Sequence, residues 1–464
     1  MKKRNIGIVL SMLVASELSI AGGNVAQKIE TNTKIQVVTD TSYKYIQKPI
    51  TADDGIFHGY LRAHHIFDAK DNGYDKVTGS TLGLGLGYGM EITSGFKVGA
   101  EFYGVMDSGL TDTDENLIAY GQFMNTIKSS NELDEGYTWG LHMRYESEGF
   151  KAILARSQFK SPMTKIQITH VPNMYEYARL DGNVLGGNAS LSYITKISYG
   201  SRSAADWGLI GEFTGTAGMF AQPFFVPSKP AKPYLERGTY YGIDETLKSG
   251  TTDSKGILVF GYEKKIKKLD IKVWDFLIDD VLNNIFVEAD YKFPLGKEKG
   301  VKLSAHVWNQ NITNGAYEEI YGGTMFGAEA IVKWGPVIGK LAYETKDDGG
   351  LLNAWGSNPG YTSSIFSRNE YRSNVDAYKA TLIYQPLKNL KLMISYADYG
   401  QSDMESPKFG LPTDDAHELD MVVVYKPRGD ISLKLFNANR TSEYNSSTKD
   451  RRQNQTRLII NFAF

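Results

Sequence analysis

The 464-residue chain carries 51 Lys and Arg against 53 Asp and Glu, and it contains no cysteine. This balance excludes the basic footprint of a nucleic-acid-binding protein, so no nucleic-acid partner is expected. The lack of cysteine excludes disulfides, thiolate chemistry and a lipid-attachment cysteine. Beyond the N-terminus, no apolar run approaches the roughly 18 residues that a transmembrane helix needs.

The N-terminus predicts a secretory signal peptide. Three basic residues at positions 2–4 precede a mainly apolar stretch over 6–20, and Ser19-Ile20-Ala21 fits a cleavage site. We expect residues 1–21 to be removed and residues 22–54, which lack strand periodicity, to form a short periplasmic leader. A membrane anchor is the alternative, but the apolar run is short and interrupted by polar residues.

From residue 55 to the C-terminus, apolar residues recur with a period of two. The clearest case is 82–90, where Leu82, Leu84 and Leu86 alternate with glycines; this spacing indicates a barrel wall rather than a phosphate-binding loop. The pattern predicts eighteen strands, each about long enough to cross the hydrocarbon when tilted. They lie near 57–67, 80–92, 95–106, 136–147, 150–158, 188–199, 206–214, 252–263, 268–277, 283–293, 299–310, 322–334, 336–346, 374–385, 389–400, 416–427, 430–440 and 453–464.

The connections between the predicted strands alternate between short and long. The long polar ones are 107–135, 159–187, 215–251, 347–373 and 401–415. A barrel with periplasmic termini requires short periplasmic turns and long extracellular loops in alternation. We therefore predict an all-β fold for residues 55–464, a transmembrane antiparallel β-barrel of eighteen strands in the outer membrane.

The last strand places Leu458, Ile460, Phe462 and Phe464 on one side. In a soluble protein this apolar strand would be an exposed, sticky edge. It fits a strand that closes a barrel and turns its apolar side to lipid. We expect membrane lipid and lipopolysaccharide around the barrel, and contact with the barrel-assembly machinery through the strand that ends at Phe464.

Two segments resemble the third-loop region of OprD-type outer-membrane porins. Residues 155–162 read Ala-Arg-Ser-Gln-Phe-Lys-Ser-Pro and residues 170–176 read His-Val-Pro-Asn-Met-Tyr-Glu, against a family pattern of Gly-Arg-Gln, Thr-Pro and Val-Pro-Asn-x-Phe-Glu. The matching residues are Arg156, Pro162, Pro172, Asn173 and Glu176, whereas Ala155, Ser157 and Ser161 depart from the pattern. Residues 355–363 also resemble the family's seventh loop.

The resemblance implies a substrate-selective channel, monomeric or trimeric. Its third loop, near 159–187, would fold inward and narrow the pore, and a row of basic wall residues would guide small anionic solutes. On the same loop, Lys165 and Arg179 are expected to add positive potential. The predicted constriction and solute-binding residues are therefore Arg156, Lys165, Pro172, Asn173, Glu176 and Arg179.

Side chains opposite the apolar positions should line a water-filled interior, and on that side basic residues outnumber acidic ones. The predicted pore-lining charges are Arg62, Arg144, Lys196, Lys272, Lys379, Lys434, Arg457, Glu288, Asp290 and Glu329. Opposed charges across a narrow pore form a selectivity filter. The alternative is a solvated wall with ion pairs between neighbouring strands. Arg156 conflicts with its own strand, because it shares the parity of Leu154 and should face lipid unless a bulge re-aims it or the strand has risen above the bilayer.

No catalytic residue, metal site or cofactor is predicted. Adjacent residues such as His64 and His65 point to opposite faces of a strand, and no nucleophile motif or metal-ligand spacing occurs. The predicted function is passive diffusion of small hydrophilic, especially anionic, solutes and ions. The alternatives are a general non-selective porin and a structural or adhesive surface protein with an incidental pore. An inward third loop would separate a channel from the surface protein, and the charge at the constriction would separate the two kinds of channel.

Overall fold

The computed structural model describes residues 51–71, 74–110, 117–118, 125–126, 133–134, 136–164, 170–200, 238–246, 252–315, 317–318, 321–351, 359–405, 411–445 and 450–464. The predicted signal peptide, most of the predicted leader, Lys165 and the strand predicted near 206–214 lie outside these residues.

Eighteen long strands form the barrel in the described part of the chain. They are β1 (Asp54–Asp71), β2 (Tyr74–Thr93), β3 (Phe96–Asp107), β4 (Gly136–Ser147), β5 (Phe150–Ser157), β6 (Met174–Val184), β7 (Gly187–Ser198), β8 (Ile257–Ile266), β9 (Leu269–Ile278), β10 (Leu282–Pro294), β11 (Lys299–Ile312), β12 (Gly323–Trp334), β13 (Val337–Lys346), β14 (Val375–Leu387), β15 (Leu390–Asp398), β16 (Thr413–Tyr425), β17 (Ile431–Tyr444) and β18 (Arg451–Ala463). Short strands (Leu117–Ile118, Asn125–Thr126, Leu133–Asp134 and Tyr240–Gly242), a helical turn (Ile243–Thr246) and a 3₁₀ turn (Asn369–Tyr371) lie in the loops.

The sheet closes on itself, because β18 pairs antiparallel with β1. Arg62 lies opposite Asn461 in this pair. Beyond the ladder, the Gly59 N–H donates to the Phe464 carbonyl at 2.9 Å and the Phe464 N–H donates to the Gly59 carbonyl at 3.0 Å. The terminal strand therefore seals the barrel, as its sequence predicted, and leaves no free edge.

The two faces of the wall differ in polarity. Large apolar side chains, such as Leu154, Leu341, Tyr378 and Ile460, stand exposed on the outer face. The residues between them turn inward, where many charged side chains are buried. A continuous exposed apolar band of this kind is the surface of a membrane-spanning barrel. Among the described residues, no helix is long and apolar enough to cross a membrane.

Connections of different length gather at the two ends of the barrel. At one end, six turns contain two residues each, at 94–95, 148–149, 185–186, 267–268, 335–336 and 388–389. At the other end, the chain forms most of the long loops, including those after β3, β5, β7, β13 and β15. We call the connections at this end loops 1 to 9 in chain order; loop 3 then spans 158–173 and loop 7 spans 347–374.

The predicted extent of loop 3, 159–187, is wrong. Residues 174–184 are β6, which pairs with β5 and with β7 and turns at Leu185 and Gly186, both with positive φ. The charged residues Glu176, Arg179 and Asp181 break the apolar alternation on which the strand prediction relied. The described barrel has eighteen strands, the number predicted, because β6 is added and the strand predicted near 206–214 lies outside the described residues.

A charge placed on the outer face tests the membrane orientation. Leu341, near the middle of β13, is 67% exposed, and Leu110, beyond the end of β3, is 69% exposed. We expect Leu341→Arg to lower the free energy of unfolding from phospholipid vesicles by about 2–4 kcal/mol, since lipid solvates an arginine poorly. The matched variant Leu110→Arg should change it little. Equal effects in urea titrations would contradict the orientation.

Candidate pore constriction

Part of loop 7 runs across the inside of the barrel, where a wall carboxylate holds it. Glu344 on β13 is fully buried and accepts the N–H groups of Tyr361 at 2.5 Å and Thr362 at 3.2 Å. It also accepts the Thr362 hydroxyl and, at 3.1 Å, the Asn369 amide. The loop itself thus supplies four hydrogen-bond donors to this one carboxyl group.

A second group of carboxylates continues this anchoring on β16. Glu418 accepts the N–H groups of Phe366 at 2.8 Å and Ser367 at 2.7 Å, one on each oxygen. Asp420 accepts the N–H of Ile365 at 3.4 Å. Because β14 and β15 separate β13 from β16, residues 361–367 span a broad part of the inner wall. We call these residues the loop 7 segment.

The carbonyl groups of the loop 7 segment face wall cations. The Lys379 ammonium donates to the Ser363 carbonyl at 2.6 Å, and Arg440 donates to the Phe366 carbonyl at 3.2 Å. The Arg457 guanidinium lies 5.4 Å from the Phe366 ring centroid. The segment therefore lies on a row of basic side chains contributed by β14, β17 and β18. Its N–H groups donate to wall carboxyl groups, and its carbonyl groups accept hydrogen bonds from wall lysine and arginine.

Tyr361 extends the constriction along the wall beyond β13, in the direction away from β16. Its hydroxyl donates to Glu288 on β10 at 3.0 Å, and its ring centroid lies 4.4 Å from that of His306 on β11. Glu288 also pairs with Lys272 on β9. The side chain thus connects the loop 7 segment to the wall of β9–β11.

Loop 3 also packs into the interior. His170 is buried, its Nε2 lies 2.7 Å from the Thr81 hydroxyl, and its carbonyl accepts the Tyr60 hydroxyl at 2.5 Å. A Cβ on Gly83 would lie only 2.1 Å from the His170 ring, so this wall position has to be glycine for the loop to dock. The glycines that alternate with leucines on β2 therefore leave room for loop 3 to pack against the wall.

The Pro172 and Asn173 pair has a structural role. The Asn173 side-chain carbonyl accepts the Gly200 N–H at 2.8 Å, and a Cβ on Gly200 would approach Pro172 to 2.7 Å. Asn173 is 2% exposed. These contacts fasten the end of loop 3 to the end of β7, and a solute-binding role for either residue stays a prediction.

Arg156 and Glu176 do not line the pore. The β5 ladder continues from Leu154 through Arg156 without a register shift, so Arg156 stays on the outer face. Its guanidinium pairs with Glu176 at 2.5 Å and lies over the rings of Trp139 and Tyr240, at 5.6 and 4.9 Å. The predicted constriction role of these two residues is therefore contradicted by their position.

A β-bulge also overturns the prediction for Lys196. The register between β6 and β7 shifts between Ile194 and Lys196, with Thr195 as the extra residue. Lys196 consequently lies opposite Glu176 on the outer face, and Ile197 takes the inward position. A bulge reverses the parity of every following residue, and nothing in the local sequence marks it.

The other predicted pore residues face the interior. Arg179 points inward from β6, pairs with Asp181 at 2.7 Å and lies 5.5 Å from the Phe159 ring. The inward-facing wall charges are Arg62, Arg144, Lys272, Lys379, Lys434, Arg457, Glu288, Asp290 and Glu329.

Several of these charges pair with neighbours on the wall. Asp290 meets Lys302 at 2.7 Å, Glu329 lies 3.7 Å from Lys340, and Arg144 contacts Glu146 at 3.1 Å and also Asp53. Arg62 donates to the Asn461 side chain at 3.2 Å. Much of the predicted acidic lining is therefore engaged in ion pairs, which was the alternative interpretation of these positions.

Two interior charges that sequence reasoning missed come from loops. Arg372 follows the 3₁₀ turn of loop 7, and Glu405 lies in loop 8, between β15 and β16. Both are 1% exposed. Strand periodicity places no loop residue, so no signal in the sequence separates them from surface charges.

Solved structures share this architecture. The chain superimposes on Acinetobacter baumannii OccAB2 and OccAB3 with a TM-score of 0.67 in each case, at 12% and 13% identity. Pseudomonas aeruginosa OpdK, solved with vanillate, gives 0.67 at 12% identity. Each comparison covers 88% of this chain and 98% of the other. The fold is that of the OprD-type porins. No protein-family model and no curated protein matches the sequence.

The likeness confirms the fold that the third-loop and seventh-loop motifs predicted. At these identities it carries the architecture alone, so the roles of individual side chains rest on their contacts in this chain.

Acidification should destabilise the packing of loop 3 against β1 and β2. Burial lowers the pKa of His170 well below its usual value, and nearby Arg62 lowers it further. The unfolded chain takes up a proton below about pH 6.5, whereas the folded protein does not. Protonation of His170 therefore leaves the free energy of unfolding unchanged above that pH and lowers it by up to about 1.4 kcal/mol per pH unit below it. Comparing urea unfolding of wild type and His170→Gln between pH 7.5 and 4.5 should show a shallower decline for the variant; identical slopes would contradict this.

Proposed function

We propose that this protein is an outer-membrane channel through which small hydrophilic solutes, and anionic ones in particular, diffuse passively. One observation carries the proposal: the loop 7 segment is held inside a membrane-spanning barrel and lies on the basic row formed by Lys379, Arg440 and Arg457. Water-filled barrels of this kind select solutes by the width and charge of their narrowest part.

Whether the channel prefers anions or cations depends on which wall charges already have partners. Glu344, Glu418 and Asp420 accept N–H groups of the loop 7 segment, and Asp290 and Glu329 pair with wall lysines. The basic row contacts that segment through two backbone carbonyls and an aromatic ring, which carry no formal charge. Anions therefore gain more from this wall than cations do.

A general non-selective porin is less well supported. Its lumen would be open, whereas Lys379, Lys434 and Arg457 are at most 7% exposed. The loop 7 segment lies against Lys379 and Arg457 in that part of the interior. The third-loop constriction predicted from the resemblance becomes, in this proposal, a constriction that loops 3 and 7 share. Lipopolysaccharide contact, recognition by the barrel-assembly machinery and a monomeric or trimeric state stay predictions.

Ion selectivity tests the proposal directly. Purified protein in a planar bilayer under a salt gradient should give a reversal potential of the sign for anions. Lys379→Gln should shift that potential toward zero, because it removes an interior cation. The control is Lys255→Gln, whose side chain is 73% exposed in an outer loop. A cation-selective wild type would refute the anionic preference, and a closed wild type would refute the channel.

The anchoring of the loop 7 segment gives a separate prediction. In Glu418→Gln, one of the two backbone N–H groups would face an amide donor instead of a carboxylate oxygen. We expect a looser segment, seen as a larger mean single-channel conductance with more frequent current fluctuations. Glu443→Gln, on the outer face of β17, is the matched control. Unchanged conductance and noise in Glu418→Gln would show that the segment does not limit the current.

A further inference from the structure

Lysines collect on one sector of the barrel end that carries the short turns. The sector consists of residues 263–270, 292–299 and 333–336, at the ends of β8 to β12, and we call it the basic rim. It holds three acids, Glu263, Asp270 and Glu298, and eight lysines, Lys264, Lys265, Lys267, Lys268, Lys292, Lys297, Lys299 and Lys333. An equal number of residues at the same end of β2 to β7, 91–97, 146–151 and 182–188, holds two lysines and three acids. The charge of this end is therefore uneven around the barrel.

The three parts of the basic rim form one connected edge. Between β9 and β10, the Lys292 N–H donates to the Lys268 carbonyl at 3.1 Å. Between β11 and β12, the Gly335 N–H donates to the Glu298 carbonyl at 3.0 Å. Because neighbouring turns are joined in this way, their lysines can act on the same ligand surface.

Acidic partners neutralise only a small part of the charge of the basic rim. Asp270 pairs with Lys292 at 2.5 Å. Within the described residues, four exposed lysines of the rim form no ion pair: Lys265, Lys267, Lys268 and Lys297. Ammonium groups placed side by side repel one another, so a negatively charged partner lowers their free energy where a neutral one does not.

Apolar side chains on the outer face place the basic rim at the surface of a membrane. Ile266, Phe293 and Trp334 are exposed there. The Lys299 ammonium lies 3.6 Å from the centroid of the Trp334 ring, and Lys264 shares the outward parity of its strand's exposed residues. Tryptophan at the end of a barrel strand marks the boundary between hydrocarbon and headgroups. A lysine at that depth keeps its methylene groups in the apolar layer and extends its ammonium to the headgroups.

We propose that the basic rim binds the headgroups of anionic phospholipids in the periplasmic leaflet of the outer membrane. The short turns of such a barrel lie on the periplasmic side, so the rim meets the lipids of that leaflet. A phosphatidylglycerol headgroup carries a phosphate and no ammonium, whereas the lysines would repel the ammonium of a zwitterionic headgroup. An acidic soluble protein fits less well, because it would meet the turns but not Lys264 and Lys299, which face lipid. This binding does not depend on which solute crosses the pore.

A single introduced cysteine can report on the lipid beside one turn, because the chain contains no cysteine of its own. Leu295 in the basic rim and Leu387 beside the turn at 388–389 are 60% and 58% exposed and form a matched pair. We would label Leu295→Cys and Leu387→Cys with the same fluorophore in phosphatidylcholine vesicles. A small fraction of nitroxide-labelled phosphatidylglycerol or phosphatidylcholine then quenches each fluorophore according to its local concentration. We expect about fivefold enrichment of phosphatidylglycerol at Leu295→Cys and little at Leu387→Cys.

Neutral variants and salt test whether the lysines cause the enrichment. Adding Lys268→Gln and Lys297→Gln to Leu295→Cys should remove most of it, as should about 1 M salt, at which the Debye length is roughly 3 Å. Adding Lys388→Gln and Lys426→Gln instead should leave it unchanged; all four lysines are exposed at the same end of the barrel. Equal quenching by the two lipids at Leu295→Cys, equal enrichment at the two labelled turns, or enrichment that survives Lys268→Gln with Lys297→Gln would overturn the proposal.

Discussion

Everything in this molecule depends on the pairing of β18 with β1. Lipid offers no hydrogen bonds to a polypeptide backbone, so a sheet can lie in a membrane only when its last strand meets its first. The chain achieves this with its final residue, which exchanges two backbone hydrogen bonds with Gly59. Once the wall is closed, its inner face is protected from lipid and can hold charges, and the loops at one end have an interior to enter.

That interior is organised by carboxylates that hold a loop. The carboxyl oxygens of Glu344 and Glu418 accept hydrogen bonds from backbone N–H groups of the loop 7 segment. The carbonyl groups of the same segment accept hydrogen bonds from Lys379 and Arg440. The segment therefore replaces water as the solvent of both kinds of wall charge. The energetic cost of confining acids and bases in the barrel is offset by the loop that narrows it.

How far the fold was predictable can be judged from particular strands. Strands with regular alternation, such as those around Leu82 and Leu458, were predictable, since burial on one face and lipid on the other enforce a period of two. The strand β6 was missed because Arg179 and Asp181, facing a polar lumen, look like loop residues. Lys196 was misplaced because a single extra residue, Thr195, reverses the parity of the chain that follows.

The candidate site was harder to predict than the fold. Wall positions such as Lys379 follow from parity, but their partners do not, because they come from a loop more than ten residues away in sequence. Arg372 and Glu405 meet only through the folding of two separate loops. The Val-Pro-Asn motif lies at the end of loop 3, where Asn173 accepts the Gly200 N–H, a contact that the sequence alone did not indicate.

The ion pair of Arg156 and Glu176 on the outer face has a consequence for how the barrel sits in a bilayer. Arg156 on β5 lies level with Leu141 on β4. The outward-facing residues of β4 are all apolar or aromatic from Tyr137 to Tyr145. On β5 the apolar surface ends at Leu154, so the hydrophobic belt is narrower there than on β4. A bilayer of uniform thickness matches such a belt only if the barrel axis tilts or the leaflet thins beside β5 and β6. The barrel thus has a preferred azimuth in the membrane, and neighbouring lipids or proteins meet it differently on that side.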